Sequence, residues 1–415
     1  MSKKFFLILF LSISYFESFT QNLDPLLKKA ELDKIHLGIQ VKNLTKNEMV
    51  FEKQEDFFFM PASTQKMITY YFSNKYLKDS LASFKWKEKG DTLLIAGTGD
   101  PSFLHTKFQN HYLEDFIQKK NKKALALVNP LVKNKYPMGW AWEDFPYYYM
   151  AEISTFPIYG NVVNFNSNRK TYQLIPDYFK GNVAWKDSLK EPLRDFWTNQ
   201  FYVPSNKNTW NEDVPFIVKP EIIQALLEYR LKKSVKIVPK QNIKEWQKEY
   251  FQPTDTLYRK MLHDSDNMIA EQLLLCIAAE KGWEMETESI IENLQKENPF
   301  LKEINWVDAS GLSRYDLVRP IDMTQVLEKI YFEIPSEKWK NEMAKMGEEY
   351  KRWTNLSLPG KIWAKTGSFS NTFNVVGFYE KPNGEVYSFV IFTNLSRIKT
   401  AEMRRRIGVL LNEMF

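Results

Sequence analysis

Three short stretches occur in a fixed order along this chain: Ser63-Thr64-Gln65-Lys66, then Ser265-Asp266-Asn267, then Lys365-Thr366-Gly367. They supply a hydroxyl nucleophile, an amine that can act as its base, a second hydroxyl that can carry a proton, a side-chain amide and a second ammonium group. Acyl transfer through a covalent serine intermediate requires this set of groups. The ordered set therefore predicts an active-site serine enzyme.

The local context of the first stretch distinguishes it from chance matches. The spacing Ser-x-x-Lys also occurs at Ser167 and at Ser396, so one match carries little weight. Only the copy at Ser63 has Pro61 just before it and an apolar run after it, which together predict a helix start. Ser63 and Lys66 would then lie on one face of that helix, where the amine can take the hydroxyl proton.

The bulk composition is that of a folded, globular protein of two or three domains. The chain has 415 residues, is 44% apolar and contains 30 Phe, 21 Tyr and 12 Trp, enough to build sizeable cores. The formal net charge of +6 is modest for this length. Basic clusters at 119–123 and 404–406 are interpreted as solvated faces, and no nucleic-acid partner is predicted.

The first residues resemble a secretory signal peptide. Lys3-Lys4 form a basic start, and the apolar run over 5–13 is too short for a stable membrane anchor. Small residues at Ser18 and Thr20 predict cleavage before Gln21, so that residues 1–20 are removed. No Cys follows the apolar run and no later stretch could span a bilayer. The sequence predicts an exported, periplasmic, soluble protein with at most peripheral membrane contact.

Cysteine and histidine usage argues against disulfides and metals. Cys276 is the only cysteine, and its apolar neighbours predict a small buried side chain. The four histidines show no spacing typical of metal ligands. We therefore expect no metal and no cofactor.

The two ends of the chain are expected to share one antiparallel sheet. Runs rich in β-branched and aromatic residues predict strands at both ends, with a tight turn at Asn383-Gly384 and a closing helix over 400–414. The predicted strands are 37–41, 49–51, 361–368, 373–379 and 386–393. The helix after Asp266, with Gly282 just past its end, is expected to form a separate helical lobe. The catalytic cleft would lie between the sheet and this lobe.

The stretch between the first two motifs is too long to be a loop. Residues 87–250 mix short strand-like and helix-like runs, which predicts one inserted domain or two nested ones. The catalytic domain would then be discontinuous, formed by 21–86 and 251–415. The segment Gly97–Pro101 lacks the third glycine of a dinucleotide-binding loop and is interpreted as a turn.

At these motifs the chain resembles the class C low-molecular-mass penicillin-binding proteins, which are D-alanyl-D-alanine carboxypeptidases and endopeptidases. Beyond the three motifs, the resemblance rests on Gly97–Pro101, Gly139–Asp144 and Asp308–Tyr315, with Ala309 standing where the family usually has Gly. It implies an α/β (α+β) fold: a transpeptidase domain like that of penicillin-binding proteins and serine β-lactamases, with an antiparallel sheet, a helical lobe and inserted domains.

The resemblance also implies a role for each matching residue. Ser63 is the acylated nucleophile, Lys66 its base, and Ser265 the group that relays a proton to the leaving D-alanine. Asn267 holds the substrate amide, and the strand that carries the third motif binds the region of the terminal carboxylate. A separate pocket binds the diaminopimelate side chain of the stem peptide. The third-motif residues are Lys365, Thr366, Gly367 and Ser368, and the pocket residues are Asp144, Arg314, Tyr149 and Ser370. Backbone N–H groups of Ser63 and Ser368 would hold the oxyanion.

Three functions remain open at this point. The first is a D,D-peptidase that cleaves peptidoglycan stem peptides and is covalently inhibited by β-lactam antibiotics. The second is a β-lactamase, which is disfavoured because the Glu-x-x-Leu-Asn element of class A enzymes is absent between the second and third motifs; Leu411-Asn412 comes after them. The third is a non-catalytic peptidoglycan-binding module, which is disfavoured because every reacting position is intact.

Overall fold

The computed structural model describes residues 22–108, 110–168, 171–205, 209–241 and 245–415. The expected signal peptide over 1–20 lies outside them. In the described part of the chain, no helix is long and apolar enough to cross a membrane. The fold is a mixed α+β arrangement of helices around several sheets, as the resemblance implied.

The helices are distributed along the whole described chain. They are α1 (Asp24–Lys29), α2 (Lys66–Tyr76), α3 (Tyr112–Lys120), α4 (Pro220–Leu231), α5 (Thr254–His263), α6 (Asn267–Lys281), α7 (Thr287–Glu297), α8 (Pro320–Glu333), α9 (Ser336–Glu342) and α10 (Thr400–Met414).

The strands cluster at the two ends and in the middle of the chain. They are β1 (His36–Asn43), β2 (Glu48–Lys53), β3 (Ser80–Lys89), β4 (Thr92–Gly97), β5 (Ala124–Val128), β6 (Val162–Ser167), β7 (Tyr172–Ile175), β8 (Val183–Lys186), β9 (Leu193–Arg194), β10 (Phe201–Pro204), β11 (Asn211–Pro215), β12 (Val235–Val238), β13 (Gln247–Pro253), β14 (Lys361–Phe369), β15 (Thr372–Glu380) and β16 (Val386–Asn394).

The strands from both chain ends form one antiparallel sheet, the terminal sheet, in the order β14-β15-β16-β1-β2. The sequence prediction of this sheet is confirmed, including the closing helix α10. Successive residues of its strands enter different cores: Val375 packs in the core under α1 and α10, and Val376 in the core of the helical lobe. Because side chains alternate between the faces of a strand and both faces are covered, the central strands β15 and β16 are buried almost throughout.

The helical lobe is built around α6, whose residues are buried from its first turn to near its end. Asp266 caps its start by accepting a hydrogen bond from the backbone N–H of Ile269 at 3.1 Å. Gly282 ends it in the left-handed conformation with φ of 74°, as the sequence predicted. Helices α2, α5 and α7 pack against it, and Cys276 is buried inside this packing. The lobe thus gives the second motif a rigid base.

The middle of the chain forms its own sheet and a second apolar core. The order β12-β5-β4-β3-β13 makes this middle sheet, and smaller sheets β11-β6-β7 and β8-β10-β9 lie beyond it. The expected boundaries of the inserted domain, at positions 87 and 250, fall inside two strands that pair with each other. They lie within β3, which begins at Ser80, and β13, which ends at Pro253. A domain boundary inside a strand would divide one row of strand-to-strand hydrogen bonds between two domains. We therefore propose residues 80–253 as the inserted unit.

Candidate active site

A cleft of about 810 Å³ opens where the terminal sheet, the helical lobe and the loops 138–149 and 308–315 meet. It brings together most of the residues that the sequence singled out. Those lining it are Ser63, Asp144, Tyr149, Ser265, Asn267, Arg314, Lys365, Thr366, Ser368 and Ser370. Lys66 is fully buried beneath Ser63, and Gly367 packs behind the nucleophile.

The nucleophile stands at a tight helix start. Residues Ala62–Gln65 form a 3₁₀ turn that continues into α2 at Lys66, so Ser63 and Lys66 lie one turn apart. The Lys66 Nζ atom is 3.1 Å from the Ser63 Oγ atom. The turn begins with Ala62 in the left-handed region, at φ of 49°, which a non-glycine residue adopts only where its surroundings hold it there. Ser63 is therefore presented by a constrained backbone.

The Lys66 amine is held by two carbonyl oxygens as well as by Ser63. It donates to Asn267 Oδ1 at 2.7 Å and to the Ser310 backbone carbonyl at 2.7 Å. A neutral amine has two hydrogens and one lone pair. With both hydrogens given to these carbonyls, the lone pair points to the third neighbour, the Ser63 hydroxyl. The geometry suits Lys66 as the base for Ser63.

Burial shifts Lys66 toward the neutral form that this role needs. Loss of hydration lowers the pKa of Lys66 to about 8, although the carboxylates of Asp308 and Glu271 act in the opposite direction. The amine side chain is completely removed from water. A substantial fraction of Lys66 is therefore neutral near pH 8.

Lys365 links the third motif to the second. Its Nζ donates to Ser265 Oγ at 2.9 Å and to the Thr366 carbonyl at 2.8 Å. Burial, followed by the charge of Lys66, holds the pKa of Lys365 well below its usual value. Ser265 itself has φ of 60°, so its hydroxyl reaches Lys365 from a strained backbone position. The two buried amines therefore disfavour each other's protonation.

Asp266, between Ser265 and Asn267, is anchored by a cation from the middle of the chain. Lys107 Nζ lies 2.8 Å from Asp266 Oδ2, and the carboxylate is nearly inaccessible to solvent. Burial alone would raise the pKa of Asp266, but the charge and hydrogen bond of Lys107 outweigh it and lower the pKa. This ion pair fixes the turn that carries the second motif.

Two glycines allow the elements of the site to approach closely. A Cβ added at Gly367 would lie 2.7 Å from the Ser63 nitrogen and 2.8 Å from the Pro61 oxygen. A Cβ added at Gly311 would lie 1.9 Å from the Ala62 oxygen. Strand β14, an edge strand of the terminal sheet, therefore lies against the nucleophile's turn. Backbone N–H groups of β14 and of this turn therefore lie close together, as they do in sites that bind an oxyanion.

Asp308 ties the two loops at one end of the cleft together. Its carboxylate accepts from Trp140 Nε1 at 2.7 Å and from the Ser313 N–H at 2.7 Å. The backbone N–H of Arg314 donates to the Gly139 carbonyl at 3.3 Å, between the same two loops. Loops 138–149 and 308–315 are thereby held side by side, which brings Asp144 and Arg314 to the same cleft.

The predicted stem-peptide pocket lies at this end. The Tyr149 hydroxyl hydrogen-bonds to Asp144, and burial together with that carboxylate raises the pKa of Tyr149. The Tyr149 carbonyl accepts from Asn267 Nδ2 at 3.0 Å. The Arg314 guanidinium lies over the Phe369 ring, 5.2 Å from its centroid, and is exposed to the cleft. Ser370, the next residue after Phe369, also lines the cleft.

Sequence reasoning assigned no role to the buried acids that hold the site. Glu271 accepts from the N–H groups of Ala309 and Ser310 at 3.2 and 2.9 Å, and so aims the Ser310 carbonyl at Lys66. Asp316 accepts from the Val307 N–H at 2.7 Å in the neighbouring turn. Helix α6 carries two carboxylates, Glu271 and Glu280, and no sequence pattern distinguished the first from the second. Across the described ranges, no group of His, Cys, Asp and Glu is arranged to hold a metal ion.

Comparisons with known proteins identify the family of the chain. The model of the D-Ala-D-Ala carboxypeptidase 3 (S13) family matches residues 19–176 and 231–414. The D-alanyl-D-alanine carboxypeptidase DacB of Haemophilus influenzae is 24% identical over 420 residues, which cover 86% of this chain and 85% of the relative.

Solved structures share the fold. The crystal structure of penicillin binding protein 4 (dacB) from Haemophilus influenzae matches with a TM-score of 0.73 at 22% identity, covering 95% of this chain and 100% of that one. A structure of the same protein complexed with a novel β-lactam matches with a TM-score of 0.68 at 22% identity, covering 95% of this chain and 99% of that one.

Proposed function

Because the chain belongs to the D-Ala-D-Ala carboxypeptidase 3 (S13) family, we propose that it is a serine D,D-peptidase that acts through an acyl-enzyme on Ser63. Its substrates are peptidoglycan stem peptides ending in D-Ala–D-Ala, or the D-Ala–diaminopimelate crosslinks between them. The observation that carries the proposal is the Lys66 amine. Its two carbonyl contacts leave the lone pair for the Ser63 hydroxyl.

Acylation uses the first motif. Ser63 Oγ attacks the carbonyl carbon of the penultimate D-alanine as its proton passes to Lys66. The resulting oxyanion is stabilised by the N–H groups of Ser63 and Ser368, where β14 meets the nucleophile's turn. Asn267 orients the substrate amide, and Thr366 with Lys365 binds the terminal carboxylate. Collapse breaks the C–N bond and leaves an ester on Ser63.

Departure of the amine requires a proton, and the second motif supplies the path. The proton that Lys66 took from Ser63 passes to the leaving D-alanine nitrogen through Ser265, which is hydrogen-bonded to Lys365, and Lys66 becomes neutral again. Water then attacks the ester carbonyl while Lys66 again takes a proton, and the carboxylate product leaves with Ser63 restored. The same groups thus serve both half-reactions.

Penicillin labelling tests this chemistry directly. A β-lactam should acylate the parent protein once, on the Ser63 peptide, in a slowly hydrolysed complex that mass spectrometry detects as one added drug mass. Ser63→Ala should show no adduct. Rapid loss of the adduct with steady drug hydrolysis would favour the β-lactamase alternative, and an unlabelled parent would favour the non-catalytic module.

Specificity for the stem peptide would come from Asp144 and Arg314. A free diaminopimelate end carries an ammonium group and a carboxylate, which match a carboxylate and a guanidinium respectively. Tyr149 and Ser370 would complete this pocket. Arg314→Ala should remove the preference for a diaminopimelate peptide over its lysine analogue.

The size of that preference follows from the unpaired guanidinium. Losing a charged hydrogen bond costs about 1.5–3 kcal/mol, or roughly 10–150-fold in kcat/KM. The measurement is kcat/KM for both peptides on both proteins, and penicillin acylation reports whether the variant site is still assembled. Equal rates for the two peptides on the parent would make Arg314 a structural residue.

Export to the periplasm is part of the proposal, supported by the basic start and short apolar run over residues 1–20. The match to a relative solved in complex with a β-lactam supports β-lactam binding by this chain. The N-terminus of the mature protein, read by mass spectrometry after expression in a Gram-negative host, tests export. Retention of the first 20 residues would contradict it.

A further inference from the structure

An exposed group of aromatic rings lies beside the Asp144 end of the cleft. Trp142, Phe145, Phe196 and Trp197 form it, and we name them the outer aromatic cluster. Trp197 is 78% exposed and Trp142 is 69% exposed. Contiguous large rings facing water are uncommon on a protein surface unless they bind something.

Ring contacts and backbone hydrogen bonds hold the cluster in place. Phe196 packs edge-on against Phe145 at 4.8 Å, against Trp142 at 5.8 Å and against Trp197 at 4.4 Å between ring centroids. The buried Arg194 guanidinium beneath it donates to the Phe196 carbonyl at 3.2 Å, and also to the Pro215 and Thr198 carbonyls. A surface that is preorganised in this way loses little entropy on binding.

The side chain of Asp195 fixes the loop that carries Trp197. Its Oδ1 atom accepts from the N–H groups of Trp197 and Thr198, both at 2.9 Å. The loop therefore holds Trp197 outward by a closed turn and not by chance exposure. Arg194, below the same loop, also stacks over the Phe145 ring at 5.2 Å.

The cluster is continuous with the proposed active site. Trp142 and Asp144 share one 3₁₀ turn, with Trp142 facing out and Asp144 lining the cleft. Five residues further on, Tyr149 contacts Asn267 of the second motif through its carbonyl. A ligand lying on the cluster would therefore adjoin whatever occupies the cleft.

The charge around the cluster limits what it can bind. Segments 138–149 and 194–199 carry Glu143, Asp144 and Asp195, and their one cation, Arg194, is 2% exposed. An anionic membrane surface or a nucleic acid would meet uncompensated carboxylates there. A neutral ligand with apolar faces and hydrogen-bond donors suits this surface best.

We propose that the outer aromatic cluster binds the glycan strand of peptidoglycan, the β-linked chain of N-acetylated amino sugars to which stem peptides are attached. This inference rests on the proposed function. The C–H faces of sugar rings pack on the negative faces of aromatic rings, and sugar hydroxyls and amides can donate to Glu143 and Asp195. Because strand and stem are covalently joined, a strand on the cluster raises the local concentration of its stem at Ser63.

Glycan strands freed of all peptides by an amidase test binding without catalysis. Trp142→Ala and Trp197→Ala, singly and together, change only exposed rings. Trp185→Ala is the matched control, because Trp185 is also exposed, at 55%, but packs edge-on against Tyr172 in the small sheets. The double variant should raise the Kd for these strands about tenfold or more, and the control should not change it.

A second readout compares polymer with peptide. Cleavage of intact sacculi should fall about tenfold in the double variant, whereas kcat/KM for a free stem peptide should stay within about twofold of the parent. A structural disturbance of the cleft would lower both rates together. The ratio of the two rates therefore reports the cluster's own contribution.

Several results would overturn the inference. Failure of the parent to bind peptide-free strands would do so, as would equal binding of these strands by parent and double variant. Equal losses of rate on sacculi and on free peptide would also contradict it, as would a double variant that loses binding to phospholipid vesicles or abolishes a dimer formed by the parent. The proposed function is judged separately by penicillin labelling. A labelled parent that ignores glycan refutes this inference alone, and an unlabelled parent that binds glycan refutes the enzyme proposal alone.

Discussion

Gly367→Ala should uncouple the third motif from the nucleophile. The new methyl carbon would lie 2.7 Å from the Ser63 nitrogen and 2.8 Å from both the Pro61 oxygen and the Thr64 nitrogen. Ordinary contacts of a Cβ are about 3.4–4 Å. All three neighbours are backbone atoms, so strand β14 and the nucleophile's turn must separate by roughly 0.6 Å or more.

The expected loss of activity follows from what lies at this contact. If the N–H groups of Ser63 and Ser368 hold the oxyanion, a shift of this size misaligns both donors at once. Loss of one oxyanion donor costs about 10²–10³-fold in kcat, and misplacement by about 1 Å costs a similar factor. We expect acylation by a penicillin to slow by about 10²–10³-fold.

The assay is the second-order rate constant of penicillin acylation, with thermal unfolding measured in parallel. Gly181→Ala is the matched control, because nothing lies within 4 Å of its added Cβ. A folded Gly367→Ala protein that acylates within a few-fold of the parent would refute the reasoning. An equal loss in Gly181→Ala would point to a general effect of the substitution.

The remaining predictions concern charge. Acylation by the parent should rise with pH around about 8, because the base is neutral Lys66, whose pKa burial lowers to about 8; a flat profile from about pH 6 to 9 would exclude this base. Lys66→Ala and Lys365→Ala should each reduce the acylation rate by about 10²–10⁴-fold without unfolding the protein, as circular dichroism can verify. Lys107→Met should destabilise the fold at neutral pH by up to about 3 kcal/mol, because it leaves the buried Asp266 carboxylate without its cation. Since Lys107 lowers the pKa of Asp266, the stability it adds is present above about pH 4 and is lost as the pH falls further, so urea unfolding of parent and variant should converge in acid.

Local sequence patterns were enough to predict much of the fold. The terminal sheet was predicted strand by strand, because its apolar runs, its Asn383-Gly384 turn and its closing helix are all encoded by near neighbours. The start of β3 at Ser80 was not predicted. Its partner β13 lies far along the chain, so the pairing depends on tertiary contacts that no short window contains.

The residues of the site likewise divide into those that a local pattern identifies and those that it does not. Motif spacing identified Ser63 and Lys66 because three residues span one helical turn, and the structure places their side chains in contact. Glu271 acts only through the backbone of a loop that is distant in sequence, and Lys107 acts through Asp266. A role that runs through another residue's backbone or charge leaves no local pattern. Both were therefore beyond sequence reasoning.

The buried acids behind Lys66 affect whether its amine is neutral or protonated. Ionised carboxylates around the Lys66 amine favour its protonated form, and a protonated lysine cannot accept the Ser63 proton. Burial, followed by the charge of Asp308, raises the pKa of Glu271 to about 8 and that of Asp316 well above its usual value, which reduces the negative charge that these two groups place near the amine. Each can still accept backbone hydrogen bonds when protonated. Glu271 therefore holds the Ser310 carbonyl on Lys66 without fixing the amine as an ammonium ion, and its lone pair stays available to the nucleophile.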